Sequence, residues 1–157
     1  MIARACAVPR DGLLDRYAQD AGVYTDCFEV MSVHEVDLAE FITAFYTTGL
    51  FRMERAILQV ALRRRITDQQ VAALASGADV FAAWRVEARA SAEILLCDQI
   101  WQTRSYLAVS PKQGNVTRLV FGSAVVNPER RLVRVLGPLH RLYSKLLLRM
   151  AARRLNR

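Results

Sequence analysis

Residues 138–155 read PLHRLYSKLLLRMAARRL, and this stretch decides the fold. Leu139, Leu142, Tyr143, Leu146, Leu147, Met150, Ala151 and Leu155 recur at steps of three and four, which places them on one face of a helix. Arg141, Lys145, Arg149 and Arg153 are spaced by four and line another face. Leu148 and Ala152 widen the apolar side. Such a helix needs a large apolar partner, since helices in proteins owe most of their stability to a buried face. The partner must come from what precedes it in the chain.

What precedes it is a block of strands. From Val80 the apolar period changes from about 3.6 to 2. FAAWRVEARA alternates Ala82, Trp84, Val86 and Ala88 against Ala83, Arg85, Glu87 and Arg89. AEILLCD is a short apolar strand. WQTRSYLAV alternates Trp101, Thr103, Ser105, Leu107 and Val109 against Gln102, Arg104, Tyr106 and Ala108. PKQGN, residues 111–115, carries turn chemistry, and VTRLVFGSAVV returns as the partner strand. Short links between successive strands predict an antiparallel meander.

Upstream, residues 1–11 read as a loose arm, and residues 12–21 as a short helix with Asp11 as N-cap. Residues 24–33, YTDCFEVMSV, make a first strand whose buried face the mixed pattern leaves open. Asp37 opens a helix with Glu40 as its capping-box partner, and Leu38, Phe41, Ile42 and Phe45 as its stripe. A second helix is expected from Leu50 to about Arg65, and a third from Thr67 or Asp68 to near Gly77. Helices and strands are segregated along the chain, which means α+β rather than alternating βαβ units. The expected architecture is a helix-grip: a curved antiparallel sheet packed on a long C-terminal helix, with two or three helices after the first strand. The space between sheet and helix is a natural cavity.

Composition bounds the rest. A chain of 157 residues suits one domain with a real core, taken as residues 1–157, and 53% apolar residues argue against disorder. No apolar run approaches the roughly 18 residues of a membrane span. The opening MIARACAVPR is too short a signal for secretion, so a cytoplasmic protein, or one peripheral to a membrane, is expected. Three widely spaced cysteines, without CxxC spacing, argue against a disulfide framework or structural zinc. The net charge of +7 is concentrated at the end: residues 131–157 hold eight basic residues and no acidic one.

Three segments carry a family likeness. They are YTDCFEV with FRMERAIL; WRVEARASAEILLCDQIWQTRSYLAV running into VTRLVFGSAV; and LGPLHRLYSKLLLRMA, where Pro-x-His opens the last helix. Together they cover roughly residues 23–155. In this order they resemble a bacterial domain-of-unknown-function family within the START-like or SRPBCC superfamily, the birch-pollen-allergen-like and polyketide-cyclase-like folds. The resemblance implies a hydrophobic or amphipathic small molecule held between sheet and helix, and names no ligand.

Read residue by residue, the chemistry is sparse. No HxxxH or HExxH spacing, GxSxG or glycine-rich phosphate loop is present, so no metal and no cofactor is implied. His140, Asp98 and Glu54 are the first candidates for an acid or base in a cyclase- or hydratase-type pocket enzyme. Arg104 and Arg118, on strands flanking the PKQGN turn, are expected as ladder neighbours. Turned inward and paired with Glu54 or Asp98, they would anchor a carboxylate or phenol. Trp84, Trp101, Tyr106, Phe121 and Tyr143 are candidate cavity walls. The primary expectation is binding of a hydrophobic small molecule. The alternative is an interaction protein that docks Arg141, Lys145, Arg149 and Arg153 on an anionic membrane or acidic partner. Nucleic acid ranks last, because no stacking platform adjoins the basic stripe. Nothing in the chain fixes an oligomeric state.

Overall fold

The alternation read from the chain builds a sheet whose strands are all antiparallel to their neighbours. The computed structural model describes residues 1–51, 67–81, 84–98, 103–126, 128 and 130–157, with backbone alone for 130–136. Its strands are β1 (Arg4–Ala5), β2 (Val23–Ser32), β3 (Val80–Phe81), β4 (Trp84–Arg89), β5 (Glu93–Asp98), β6 (Thr103–Lys112) and β7 (Val116–Val126). They form a 7-stranded sheet in the order β1-β2-β7-β6-β5-β4-β3. The helices are α1 (Asp15–Ala18), α2 (Leu38–Tyr46), α3 (Asp68–Ala75) and α4 (Arg130–Leu155). The chain leaves β2 at one side, crosses the sheet through helices, and returns by the meander β3 to β7 to pair again with β2. This is the expected α+β architecture, with a C-terminal helix on an antiparallel sheet.

Local chemistry sets the element ends. Asp37 accepts from the Glu40 backbone N–H while the Glu40 carboxylate accepts from the Asp37 N–H, a complete capping box. Thr67 and Gln70 repeat the device at α3. At the β6–β7 hairpin, Gly114 (φ 78°) and Asn115 (φ 59°) supply the left-handed backbone that the turn requires. Helical backbone resumes at residues 49–51; the rest of the helix expected from Leu50 to about Arg65 lies outside the described residues. The strand expected to run unbroken from Phe81 is instead two strands: β3 and β4 pair with each other, Phe81 opposite Trp84.

Both faces of the sheet are covered. On the inner face Phe28, Val30, Ile94, Leu96, Leu107, Leu119 and Phe121 pack against α2, α3 and α4. On the back face Cys27, Leu95, Tyr106, Val120 and Ala124 pack under Leu14. That explains the mixed pattern of β2, where side chains of both phases are buried. The segment expected as a loose arm is held against the sheet: β1 adds an edge strand, Ala3 joins the inner-face cluster, and Cys6 and Val8 pack on the back-face one. Arg4 and Ala5 pair with Glu29 and Phe28, Ala3 and Leu14 are buried, and the Leu13 N–H donates to Glu93 Oε2 at 3.0 Å. The helix expected over residues 12–21 shortens to α1, and its N-cap is Leu14, without a side-chain cap bond, rather than Asp11, whose φ of 60° lies in the turn ahead of it.

The terminal helix begins earlier than Pro138 and is turned differently from the expected stripe. Leu147, Leu148, Ala151, Ala152 and Ser144 are buried, whereas Leu139 (66% exposed), Leu142 (65%) and Leu146 (44%) face outward. The apolar positions are wide enough to offer two stripes, and contacts with β2 and α2 select one. The helix end is pinned by polar bonds. Asn156 Oδ1 accepts from the Val33 N–H at 2.8 Å, and Arg154 Nη1 donates to the Thr47 carbonyl at 3.0 Å.

Candidate functional site

One row of polar side chains crosses the middle strands of the largely apolar inner face, apart from Ser32, Thr117 and Asp98, which are also buried in that phase. Asp26 of β2 is the register partner of Ser123 of β7, and Ser123 is the register partner of Ser105 of β6. All three are buried, at 7%, 7% and 9% exposure. Period-2 alternation puts them in phase with Phe28, Leu107 and Phe121, so they point at the helices. Two helices complete the row. α4 brings His140 and Ser144 to one end, and α2 brings Tyr46 to the other.

The hydrogen bonds are specific. Ser123 Oγ donates to Asp26 Oδ1 at 2.6 Å and lies 3.0 Å from His140 Nε2. His140 Nε2 also lies 3.5 Å from Asp26 Oδ2 and 3.4 Å from Ser144 Oγ. Tyr24 O–H donates to Asp26 Oδ2 at 3.3 Å, and Tyr46 O–H meets Ser105 Oγ at 3.0 Å. Burial, chiefly, and the Asp26 charge push the Tyr24 phenol above its ordinary pKa, with Arg141 opposing them.

This wiring differs from a nucleophilic triad. There the serine donates to the imidazole and the carboxylate holds the other ring nitrogen. Here the single Ser123 proton goes to Asp26, so the tautomer that fits is Nε2–H donating to Ser123 Oγ. The buried serine is thereby an acceptor from the ring rather than a hydroxyl activated by it. In that tautomer Nδ1 is the acceptor nitrogen, and the His140 side chain keeps 41% of its surface open. The row can therefore offer a polar contact at the border of an apolar layer.

The expected site residues divide into two sets. His140 joins the row, and Asp98 is buried on the same inner face one strand further on. Trp84 and Tyr143 pack half-buried against the inner core, and Phe121 is buried there, its ring 4.8 Å from Phe45. Glu54 and Trp101 lie outside the described residues. Arg104, Tyr106 and Arg118 have the opposite phase and sit on the back face. The two arginines are not ladder neighbours: Arg104 stands opposite Ala124, and Arg118 opposite Ser110. Each finds a carboxylate there. Arg104 Nε meets Glu87 Oε2 at 2.5 Å, and Arg118 Nε meets Glu29 Oε2 at 2.6 Å. Tyr106 donates to Glu93 Oε2 at 2.7 Å. The basic positions of α4 also diverge. Arg141 and Arg153 are exposed, whereas Lys145 and Arg149 are half-buried, Lys145 Nζ lying 5.7 Å over the Phe28 ring.

Asp26, Ser105, Ser123, Ser144 and Tyr46 were not singled out by sequence reasoning. Their signal was present for the strands: Asp26 shares the phase of Phe28 and Val30, and Ser123 that of Phe121 and Leu119. A polar residue on the apolar phase of a strand marks a buried polar group. No such signal exists for Tyr46, which reads as one more aromatic in a helix stripe. Among the described residues, no group of three or more histidine, cysteine or acidic side chains is placed to hold a metal ion. No helix among them is long and apolar enough to cross a membrane.

Fold and site together define an α+β protein whose antiparallel sheet is covered by a C-terminal helix and crossed by a buried polar row. No protein-family profile and no curated protein matches the chain. A solved structure from Enterococcus faecalis, described as a conserved protein of unknown function, EF2215, aligns over 88% of this chain and 78% of that one, with 9% identity and a TM-score of 0.43.

Proposed function

We propose that the protein binds a hydrophobic or amphipathic small molecule between the inner face of the sheet and α4, with the polar end of the ligand at His140 and the row behind it. The reading treats the architecture as a START-like helix-grip, whose cavity lies between sheet and helix. The observation that carries it is the row Asp26–Ser123–Ser105, joined by His140 and Tyr46 in a layer of phenylalanine and leucine. Ligand sites are mostly apolar, with a few converging polar groups that fix orientation. A purely structural layer would lose nothing by carrying apolar side chains there, since a paired buried polar group adds little net stability. Native mass spectrometry of the purified chain, with organic extraction of any adduct, tests the proposal first. A panel of fatty acids, phenols and polycyclic aromatics, read by thermal shift, tests it next. The shift should shrink in His140→Leu and in Ser105→Ala. No adduct and no shift across the panel would sink the reading.

A second reading rests on a different surface. Leu139, Leu142 and Leu146 are exposed along α4 beside exposed Arg141, in a chain of net charge +7. An exposed apolar stripe flanked by basic residues suits the interface of an anionic membrane. Flotation with phosphatidylserine vesicles, weakened by salt and by Leu142→Ser with Arg141→Gln, is the outcome it requires. Binding indifferent to both changes counts against it.

A further inference from the structure

The back face holds a pair of thiols that neither reading uses. Cys6 follows β1 and continues its register, its N–H donating to the Cys27 carbonyl at 3.0 Å. The two Sγ atoms lie 3.5 Å apart, although the residues are 21 positions apart in the chain. Directly opposed residues of an antiparallel pair have Cα atoms about 4.5–5.5 Å apart, within the range a disulfide spans. Closing the bond needs the sulfurs to approach by about 1.5 Å, to the usual 2.05 Å. Both are free thiols. They differ in access: Cys27 is buried, and Cys6 is half-buried at the margin of the back-face cluster.

We propose that Cys6 and Cys27 form a peroxide-responsive dithiol whose disulfide fastens the N-terminal segment to β2. Cys6 is the attacking sulfur, being the more accessible one. The Cys27 thiol, donating to the Cys6 sulfur once that is ionised, holds Cys6 below its ordinary pKa. Burial and the Glu29 charge oppose this effect, and the Arg118 guanidinium, paired with Glu29, reinforces it. A thiolate in such surroundings is the reactive form. The hydrogen bond with Cys6, followed by burial, pushes Cys27 upward, so Cys27 stays a thiol until it is needed.

The oxidant is a hydroperoxide. The Cys6 thiolate attacks one peroxide oxygen, the O–O bond breaks, and the departing oxygen takes a proton to leave as water (or as an alcohol from an alkyl peroxide). Cys6 is then a sulfenic acid. The Cys27 sulfur attacks the Cys6 sulfur, the S–O bond breaks, and the departing hydroxide takes the Cys27 proton as a second water. Two thiols have lost two electrons and two protons, and one peroxide has gained both. A dithiol reductant reverses the step by exchange.

Cys97 serves as an internal control, because it lies on β5, away from the pair. The full chain is treated with graded hydrogen peroxide, alkylated, digested without reductant and mapped by mass spectrometry. The expected product is a Cys6–Cys27 linked peptide that appears before Cys97 is oxidised and disappears on adding dithiothreitol. In Cys27→Ser, dimedone should trap a sulfenic acid at Cys6. On the unmodified chain, which needs no variant to fold, Cys6 should be alkylated several-fold faster than Cys97, and oxidation should raise Tm. Overoxidation of Cys6 without linkage, linkage through Cys97, dimers linked through Cys6, or equal alkylation of Cys6 and Cys97 would overturn the proposal.

Discussion

Gly122 shows how one residue can set the distance between two layers. A Cβ at this position would stand 2.5 Å from Leu14 Cδ2, 3.2 Å from the Asp26 carbonyl oxygen and 3.3 Å from Tyr106 Cδ1. The glycine lets the N-terminal segment lie close on β7. Overpacking a close-packed layer costs about 1–3 kcal/mol, so Gly122→Ala should lower the unfolding free energy obtained from urea denaturation by that amount. Leu14→Ala removes the tightest contact, and the double variant should lose less than the sum of the two singles. Additive losses would place the strain elsewhere. Tyr106, beside it, gives a pH signature. Burial first, and its bond to the Glu93 carboxylate second, push its phenol above the ordinary value. The folded state therefore holds this proton more tightly than the unfolded chain does. The contribution is complete below about pH 10, the unfolded tyrosine value, and is lost as pH rises beyond it. Stability of the wild-type chain should fall above that point, and Tyr106→Phe should fall less steeply there. Parallel alkaline curves for the two proteins would refute the assignment.

At the scale of elements, α4 carries the sharpest test. Its sequence offers apolar positions on two sides; among the described residues Leu147, Leu148, Ala151 and Ala152 are buried in the core, with Tyr143 and Leu155 partly buried against it. Leu148→Ala should cost about 2–5 kcal/mol, as buried leucine truncations do. Leu142→Ser, at 65% exposure, should stay within about 0.5 kcal/mol. Chemical denaturation of both variants decides between this orientation and the one the periodicity alone suggests. The caps make a smaller prediction: Asp37→Ala removes the acceptor for the Glu40 N–H and should cost about 1 kcal/mol. Arg89 of β4 does comparable work on α3, donating to the carbonyls of Leu74 and Ala78 at 2.9 and 3.2 Å. Leu74 is in the last turn of α3, where its carbonyl also accepts from the Gly77 N–H, and Ala78 is in the loop beyond, so Arg89 ties the end of α3 to β4.

Over the whole molecule, the sheet is the middle of three layers, and the back layer is short but buried. Removing residues 1–18 would expose Cys27, Leu95, Tyr106 and Val120 together. It would also take the Leu13 N–H from Glu93 Oε2, leaving that oxygen the Tyr106 hydroxyl as donor. The truncated chain should bind a hydrophobic dye and melt several degrees lower than the full chain. An unchanged Tm would mean that the back layer is packed but adds no stability. The proposed ligand site and the thiol pair lie on opposite faces, so inner-face variants such as His140→Leu should leave Cys6 oxidation untouched.

Much of this was legible in the chain. Period-2 alternation from Val80, the turn residues at 111–115 and the 3.6-residue period after Pro138 determine strands, a hairpin and a long helix, because those signals are local. They also give the α+β order and put His140 on the last helix, although the helix starts at Arg130 and His140 lies inside it rather than at its opening. Three things needed the tertiary structure. One was which stripe of α4 is buried, since two apolar stripes are equal until a partner chooses. Another was that residues 1–18 cover the back of the sheet, because a short segment without regular periodicity has no core of its own and gains stability only from a surface built elsewhere. The third was the meeting of side chains far apart in sequence: Asp26 with Ser123 and His140, and Cys6 with Cys27. Strand register sets Asp26 beside Ser123 and Cys6 beside Cys27, the packing of α4 brings His140 to the first pair, and a slip of one residue would send each strand side chain to the other face.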